Sequence, residues 1–140
     1  MPATVTYRAV VDPADCDFLG HMNVSRYFAA CSDGVFALQS EIGMTTRDMA
    51  NGRMLSFVVV HAESDFRSEL TAGEAIFLET EVLGIGARSV TFRHRLYRTA
   101  DRSLTFESVF KCVMMSLRER AATAIPDEIR DQLAARMGAS

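Results

Sequence analysis

The sequence predicts an α+β domain in which one long amphipathic helix lies across a strongly curved antiparallel sheet. Three observations carry that expectation. The spacing of apolar residues turns helical at Asn23, four long β-branched and aromatic stretches follow, and the links between those stretches are short. A helix with a single apolar stripe in such an order can bury it only against the sheet.

The stretch "TVTYRAVV" (4–11) is rich in β-branched and aromatic residues and stops at "DPAD", where Pro13 and the aspartates favour a turn, so it reads as the first strand. From Asn23 onwards Val24, Phe28, Cys31, Val35, Leu38 and Ile42 recur every three or four residues, the mark of a helix with one apolar stripe. Asn23 or Ser25 can cap its start, and Gly43 ends it. Gly34 falls in the middle, where glycine costs about 1 kcal/mol against alanine. Its expected use there is close approach of the helix to the sheet. "TTRDMANG" (45–52) reads as a short second helix capped by Thr45 or Thr46. Strands are expected at 54–66, 74–85, 89–99 and 104–117, all longer than the usual length of about 5 to 6 residues. The links "ELTAGE", "GIGAR" and "TADRS" have hairpin lengths and residue types, so each is expected to join antiparallel neighbours. "PDEIRDQLAARMG" (126–138) opens with Pro126 in a first-turn position and closes at Gly138, a terminal helix.

With 140 residues, 49% of them hydrophobic, the chain has the size and apolar content of one domain, 1–140, with its own core. A formal charge of -3, from 15 basic and 18 acidic residues, offers no general attraction to nucleic acid or anionic membrane, and neither is an expected partner. Cys16, Cys31 and Cys112 are odd in number and lack C-x-x-C spacing, so neither a disulfide framework nor a zinc site is expected. The start has no basic stretch followed by an apolar one, and no apolar run approaches the ~18 residues of a membrane span. These features point to a cytoplasmic protein.

Between the first strand and the helix lies "DCDFLGHMN" (15–23), which crowds two carboxylates, a glycine, an imidazole and a carboxamide into one turn. By residue type alone Asp15 and Asp17 are turn-formers, His21 is a solvated or capping histidine, and Asn23 is a helix cap. A cysteine beside two aspartates has its thiolate disfavoured by like charge, so neither Cys16 nor Cys31 is an expected nucleophile. His61 and His94 lie on separate strands without ligand spacing; both read as structural, and no metal is expected.

The pattern D-x-D-x-x-G-H-x-N is met by Asp15, Asp17, Gly20, His21 and Asn23, with Tyr27 one helical turn on. It resembles the hotdog-fold acyl-CoA thioesterases of the 4-hydroxybenzoyl-CoA thioesterase type. A second stretch, "HAESDFRSELTAGEAIFLETEV" (61–82), is similar to that family's strand, F-R-x-x-L turn and Gly-Glu start of the next strand. The resemblance runs from Thr4 to about Leu117 and implies a hotdog fold, in which a curved antiparallel sheet wraps a central helix. The motif is also close to that of plant acyl-carrier thioesterases. Their asparagine two residues after the second aspartate is Leu19 here, which argues against mechanisms that need it.

The resemblance implies an acyl-CoA thioesterase that releases free acid and CoA and needs no cofactor. Thioester hydrolysis requires a nucleophile, or a base to make one from water, and donors for the carbonyl oxygen as it becomes an oxyanion. By resemblance the first role falls on Asp17, as nucleophile or general base. The first-turn amides near Val24, at the positive end of the helix, would serve the oxyanion. Gly20 would let the backbone approach substrate closely, His21 would bond the carbonyl or orient water, and Asn23 would tie down the loop and cap the helix. Asp15 is kept as structural. CoA phosphates call for local cations, and fourteen of the fifteen basic residues are arginine, the better bidentate phosphate partner. Arg67 with Ser68 and Arg88 with Ser89 are the candidate pairs, while Arg93, Arg95 and Arg98 make a basic strand whose plainer reading is an exposed face. Tyr27, Phe28, Phe57 and Met54 are candidates for the acyl pocket, Tyr27 and Phe28 equally for core. The resemblance further implies a homodimer with sheets joined edge to edge and shared active sites, able to pair into a tetramer. Two other readings stand beside hydrolysis: a hotdog enoyl-CoA hydratase or dehydratase, and a non-catalytic acyl-binding hotdog domain. The asparagine and proline that usually separate the Asp and His of such a lyase are absent from "DFLGHM".

Overall fold

β1 (Ala3–Val10) is followed by a single 3-10 turn (Pro13–Asp15) and then by the long helix α1 (Val24–Glu41). After the short α2 (Thr46–Asn51) come β2 (Leu55–Phe66), β3 (Ala75–Ile85), β4 (Ser89–Arg98) and β5 (Leu104–Ser116), then the two-residue β6 (Ala121–Ala122) and α3 (Asp127–Ala134). The structure is a computed structural model and describes residues 3–137. One antiparallel sheet runs in the order β1-β3-β4-β5-β2, with β6 paired to β5 off that path. α1 lies across it, and the two together form the hotdog fold.

The expected elements are present, and the differences have local causes. Asn23 is the cap of α1: its side chain accepts from the Ser25 amide at 2.9 Å. α1 ends at Glu41 with Ile42 as its cap, and Gly43 at φ +94° lies just beyond, a conformation that favours glycine. Thr45 caps α2 through the Asp48 amide. Pro126 stands outside α3 as its cap, with extended backbone at ψ 148°, so the helix begins one residue later than the first-turn reading placed it. α3 stops at Ala134, and Gly138 lies outside the described residues. β6 was not foreseen; it fills the side of β5 left open where β4 begins, since Ser89 pairs only as far as Val113.

One link expectation is overturned. "GIGAR" and "TADRS" do join antiparallel neighbours, β3 with β4 and β4 with β5. "ELTAGE" does not: β2 pairs with β5 and β3 with β1 and β4, so this link carries the chain from the β2 edge of the sheet to the strand next to the opposite edge. The physical reason is α1, which takes the chain across the concave face before β2 begins. The return from β2 must therefore pass the start of the helix.

Cys31, Val35 and Leu38 of α1 meet Leu78, Phe92, Leu96, Phe106 and Met114 of the sheet in one continuous core. At Gly34 the two layers touch. A Cβ there would come within 2.7 Å of Leu78 Cδ2 and of Thr6 Oγ1, so the close approach expected of this glycine is present. At the other end of the helix the buried Gln39 accepts from the Phe57 amide at 3.0 Å and ties α1 to β2.

A polar thread runs beneath the helix. Thr6 Oγ1 bonds Thr80 Oγ1 at 2.8 Å, and Thr80 Oγ1 bonds His94 Nδ1 at 2.9 Å. His94 is wholly buried and its Nε2 has no partner among the described residues. Burial pushes its imidazole down from an ordinary value of 6.5 to about 3, so it is neutral in the folded protein.

Two predictions follow from this packing. Gly34→Ala gains about 1 kcal/mol of helix propensity but forces apart a fully buried leucine and a hydrogen-bonded threonine, an overpacking cost of about 1–3 kcal/mol. A net loss of stability, read as a lower denaturation midpoint, is the expected result. His94 binds its proton more readily unfolded than folded, so its contribution to stability is present above about pH 6.5 and is lost as pH falls, by up to ~1.4 kcal/mol per pH unit. Urea titrations between about pH 6.5 and pH 5, above most carboxylate titrations, should show this slope in the wild type and a flatter one in His94→Leu.

Candidate functional site

Residues 15–23 fold as a miniature hairpin. Cys16 bridges Met22, Asp17 N–H donates to His21 O at 2.9 Å, and Asn23 N–H donates to Asp15 O at 2.8 Å. Gly20 N–H closes the tip onto Asp17 O at 3.0 Å. Gly20 sits at φ +82° with open space where a side chain would point. Within the chain, then, the glycine is required by the left-handed turn rather than by a close approach. Asp17 Oδ1 accepts the Leu19 amide at 2.9 Å, which orients the carboxylate and leaves its other oxygen without a protein donor among the described residues.

Asp15 faces elsewhere: its carboxylate pairs with Arg26 at 3.1 Å, consistent with a structural role. At the start of α1 the Ser25 amide is taken by Asn23 Oδ1 and the Arg26 amide by Asn23 O, while Val24 N–H donates to no acceptor among the described residues. An unsatisfied N–H at the positive end of an eighteen-residue helix is a donor prepared for negative charge.

The link from β2 to β3 supplies the opposite wall. Arg67 and Ser68 both donate their amides to Thr105 O, at 2.8 and 3.2 Å, and Leu70 O accepts the Met22 amide at 2.7 Å, which docks this link on the hairpin. Between the two loops lies a cleft of about 380 Å³ lined by Asp17, His21, Val24, Tyr27, Arg67 and Ser68, all six anticipated from sequence. Asn23 and Gly20 hold the frame around it. Arg67 is half exposed and stands 3.9 Å from its nearest carboxylate, Glu107, so its guanidinium is largely uncommitted. Ser68 Oγ is used within the chain, accepting from Arg98 Nη2 at 3.2 Å. Tyr27 is buried against Phe66 and Phe106, and burial pushes its phenol up, partly opposed by a hydrogen bond from the Leu70 backbone.

Other candidates stand apart. Arg88 and Ser89 open β4, whereas the cleft lies near its far end beside Arg98; a ten-residue strand rises about 3.3 Å per residue, so within one chain this pair is remote from the cleft. Phe57 packs in the core against Phe92, and Met54 lies at the opposite end of β2 from Phe66, which lines the cleft. Phe28 is half-buried and contacts Phe66 and Phe106 edge-on, supporting the wall from behind. The basic strand is neutralised across the sheet: Arg93 pairs with Glu81, Arg95 with Glu107 at 2.6 Å and Arg98 with Glu74 at 2.7 Å. Burial pushes the thiols of Cys31 and Cys112 up to about 12, so neither is a thiolate at neutral pH. His61 is exposed and pairs with Glu63 at 3.1 Å.

Sequence reasoning missed Glu69 and Arg98 as parts of the site. Glu69 Oε2 lies 2.9 Å from His21 Nε2. Glu69 occupies one of the unspecified positions in F-R-x-x-L, and nothing local links it to His21 until the two loops dock. Arg98 donates to Glu69 O at 2.8 Å and so steadies that loop from beneath.

Comparisons with known proteins agree with this geometry. The family model of the thioesterase-like superfamily matches residues 11–133, from the end of β1 to α3. A 1,4-dihydroxy-2-naphthoyl-CoA hydrolase of Synechococcus elongatus is 20% identical over 132 residues, covering 94% of this chain and 96% of that protein. Among solved structures, a hypothetical protein of Staphylococcus aureus in complex with CoA superposes with a TM-score of 0.87 at 17% identity, over 97% of this chain and 85% of that one. A 1,4-dihydroxy-2-naphthoyl-CoA thioesterase from Synechocystis gives a TM-score of 0.82 at 16% identity, over 94% and 96% of the two chains. At such identities the structures speak for the fold. The family match spans the hairpin, the helix and the facing loop alike, and on that ground the chain belongs to the thioesterase-like superfamily.

Proposed function

We propose that the protein is an acyl-CoA thioesterase, hydrolysing an acyl-CoA to the free acid and CoA with Asp17 as nucleophile or general base. The observation that carries this reading is that Asp17, His21 and Val24, whose amide has no acceptor among the described residues, line one cleft. Membership of the superfamily supports it, as do the CoA-thioester hydrolase and thioesterase names of relatives aligned over nearly the whole chain.

In the general-base route Asp17 takes a proton from water, and the water oxygen bonds to the thioester carbon. The carbonyl oxygen gains negative charge beside Val24 N–H, and collapse breaks the C–S bond with departure of the CoA thiolate. In the nucleophilic route the Asp17 oxygen attacks the thioester carbon, the C–S bond breaks with departure of the CoA thiolate, and water cleaves the resulting anhydride to the free acid and the Asp17 carboxylate. Both routes use the same free carboxylate oxygen, which the Leu19 amide holds in place by binding the other. Arg67, largely uncommitted, is the arginine that lines the cleft and is our candidate cation for a CoA phosphate.

We further propose a homodimer. β2 is a twelve-residue edge strand with β5 on one side only, and Val59 and Val60 along it are 48% and 62% exposed. An exposed edge of that length invites pairing with a second copy. Edge-to-edge pairing would place the partner beside the cleft, where its Arg88 and Ser89 could serve as phosphate contacts that one chain lacks.

Four outcomes test the reading. Thiol release from a panel of acyl-CoAs should identify at least one substrate, and Asp17→Asn should lower kcat on it by at least ~100-fold, the lower end of a general base's contribution. Stability should change little, because Asp17 is a turn residue outside the core. Wild-type turnover in Asp17→Asn would move the chemistry away from this hairpin. Dilution should reduce specific activity in step with dimer dissociation measured by sedimentation; a fully active monomer would exclude the shared site.

A further inference from the structure

We propose that Glu69 is a positioning residue for His21: it holds the imidazole with a proton on Nε2, so that the nitrogen left to act on water or substrate is Nδ1, as an acceptor. This rests on the thioesterase reading of the cleft. Glu69 Oε2 and His21 Nε2 are 2.9 Å apart, and both residues line the cleft with Asp17. A carboxylate oxygen 2.9 Å from a ring nitrogen is an ion-pair contact that repels a lone pair there, so the nitrogen facing it is the one that carries hydrogen. Neutral imidazole has one N–H, and Nδ1 therefore presents a lone pair.

A consequence follows for the division of labour. While neutral, a histidine held this way has no N–H to offer the thioester carbonyl. It can accept from water and aim that water's oxygen, which leaves the Val24 amide as the donor for the developing oxyanion. Of the two roles open to His21, orienting water is the one that this pairing favours.

Glu69 can select a tautomer because its base is fixed. Arg98 Nη2 donates to the Glu69 carbonyl at 2.8 Å and to Ser68 Oγ at 3.2 Å, and the next residue, Leu70, accepts the Met22 amide. Arg98 is itself held by Glu74 at 2.7 Å and Ser103 at 2.8 Å. The Glu69 and His21 side chains are 72% and 32% exposed, so the pair adds little to stability. Choosing between two neutral tautomers needs little.

The test combines two readouts on the whole protein. In 15N-imidazole spectra of the ligand-free protein, His21 should carry its proton on Nε2 in the wild type, and that preference should weaken in Glu69→Ala. In thiol-release assays Glu69→Ala should lower kcat about tenfold, less than the ~100-fold or more of a catalytic base, with KM little changed. Glu69→Gln, whose side-chain oxygen still accepts, should keep most of the rate, and adding Glu69→Ala to His21→Ala should cost nothing further. The proposal is overturned if the His21 tautomer is the same with and without Glu69, or if Glu69→Ala costs as much in the His21→Ala background as in the wild type. A wild type that turns over no acyl-CoA would sink the thioesterase reading instead, and the spectra alone would then decide whether Glu69 sets the tautomer.

Discussion

The close contact at Gly34 governs the rest of the arrangement. With no side chain at that position α1 rests directly on Thr6 of β1 and Leu78 of β3, and its apolar stripe fills the concavity of the sheet. The helix axis is thereby tied to the sheet near its middle, and its two ends are placed by consequence. At one end Gln39 reaches the β2 backbone; at the other, Val24, whose amide has no acceptor among the described residues, follows directly on the Asp15–Asn23 hairpin. A cleft at a helix N-terminus needs that terminus held still, because the value of a prepared donor lies in not having to reorganise. Packing in the core, well away from the cleft, is what holds it.

The second constraint is the crossing of the β2–β3 link over the start of the helix. Because β2 lies at the edge of the sheet opposite β1 and the next strand, β3, pairs with β1, the chain returns past the hairpin, and it is held there by the Met22–Leu70 bond and by Thr105. This return brings Arg67, Ser68 and Glu69 opposite Asp17 and His21. The cleft is therefore a product of sheet topology: two loops distant in sequence form its walls because the strand order leaves the link no other route. Arg98 reinforces the meeting from the end of β4, spending its guanidinium on Glu74, Ser103, Ser68 and the Glu69 carbonyl.

Charge is distributed by the same logic. Arginine is abundant along β4, yet Arg93, Arg95 and Arg98 face glutamates across the strands and are consumed in pairs. Arg67 lies past the end of β2 with its carboxylate neighbour at 3.9 Å, which is why it alone of these four keeps a largely uncommitted guanidinium at the cleft. The buried polar thread from Thr6 to His94 has a different character. It is uncharged and enclosed, and it ends at a His94 Nε2 that has no partner among the described residues.

The sequence by itself determined the elements and the hairpin. Apolar spacing from Val24 to Ile42, β-branched runs bounded by turn residues, and a glycine placed in mid-helix are local or periodic signals, and each reflects a backbone preference that acts over a few residues. The D-x-D-x-x-G-H-x-N stretch was legible for the same reason: its turn is closed by its own residues, with Asp17 bonding Leu19, Gly20 at positive φ and Asn23 capping the helix. The tertiary structure decided what crosses between elements. The strand order that turned "ELTAGE" from a hairpin into a crossover, the pairing of His21 with Glu69, the neutralisation of the β4 arginines and the separation of Arg88 and Ser89 from the cleft all depend on which strands become neighbours. Strand neighbours are selected by how a whole helix and sheet bury their apolar faces together, and no short stretch of sequence carries that information.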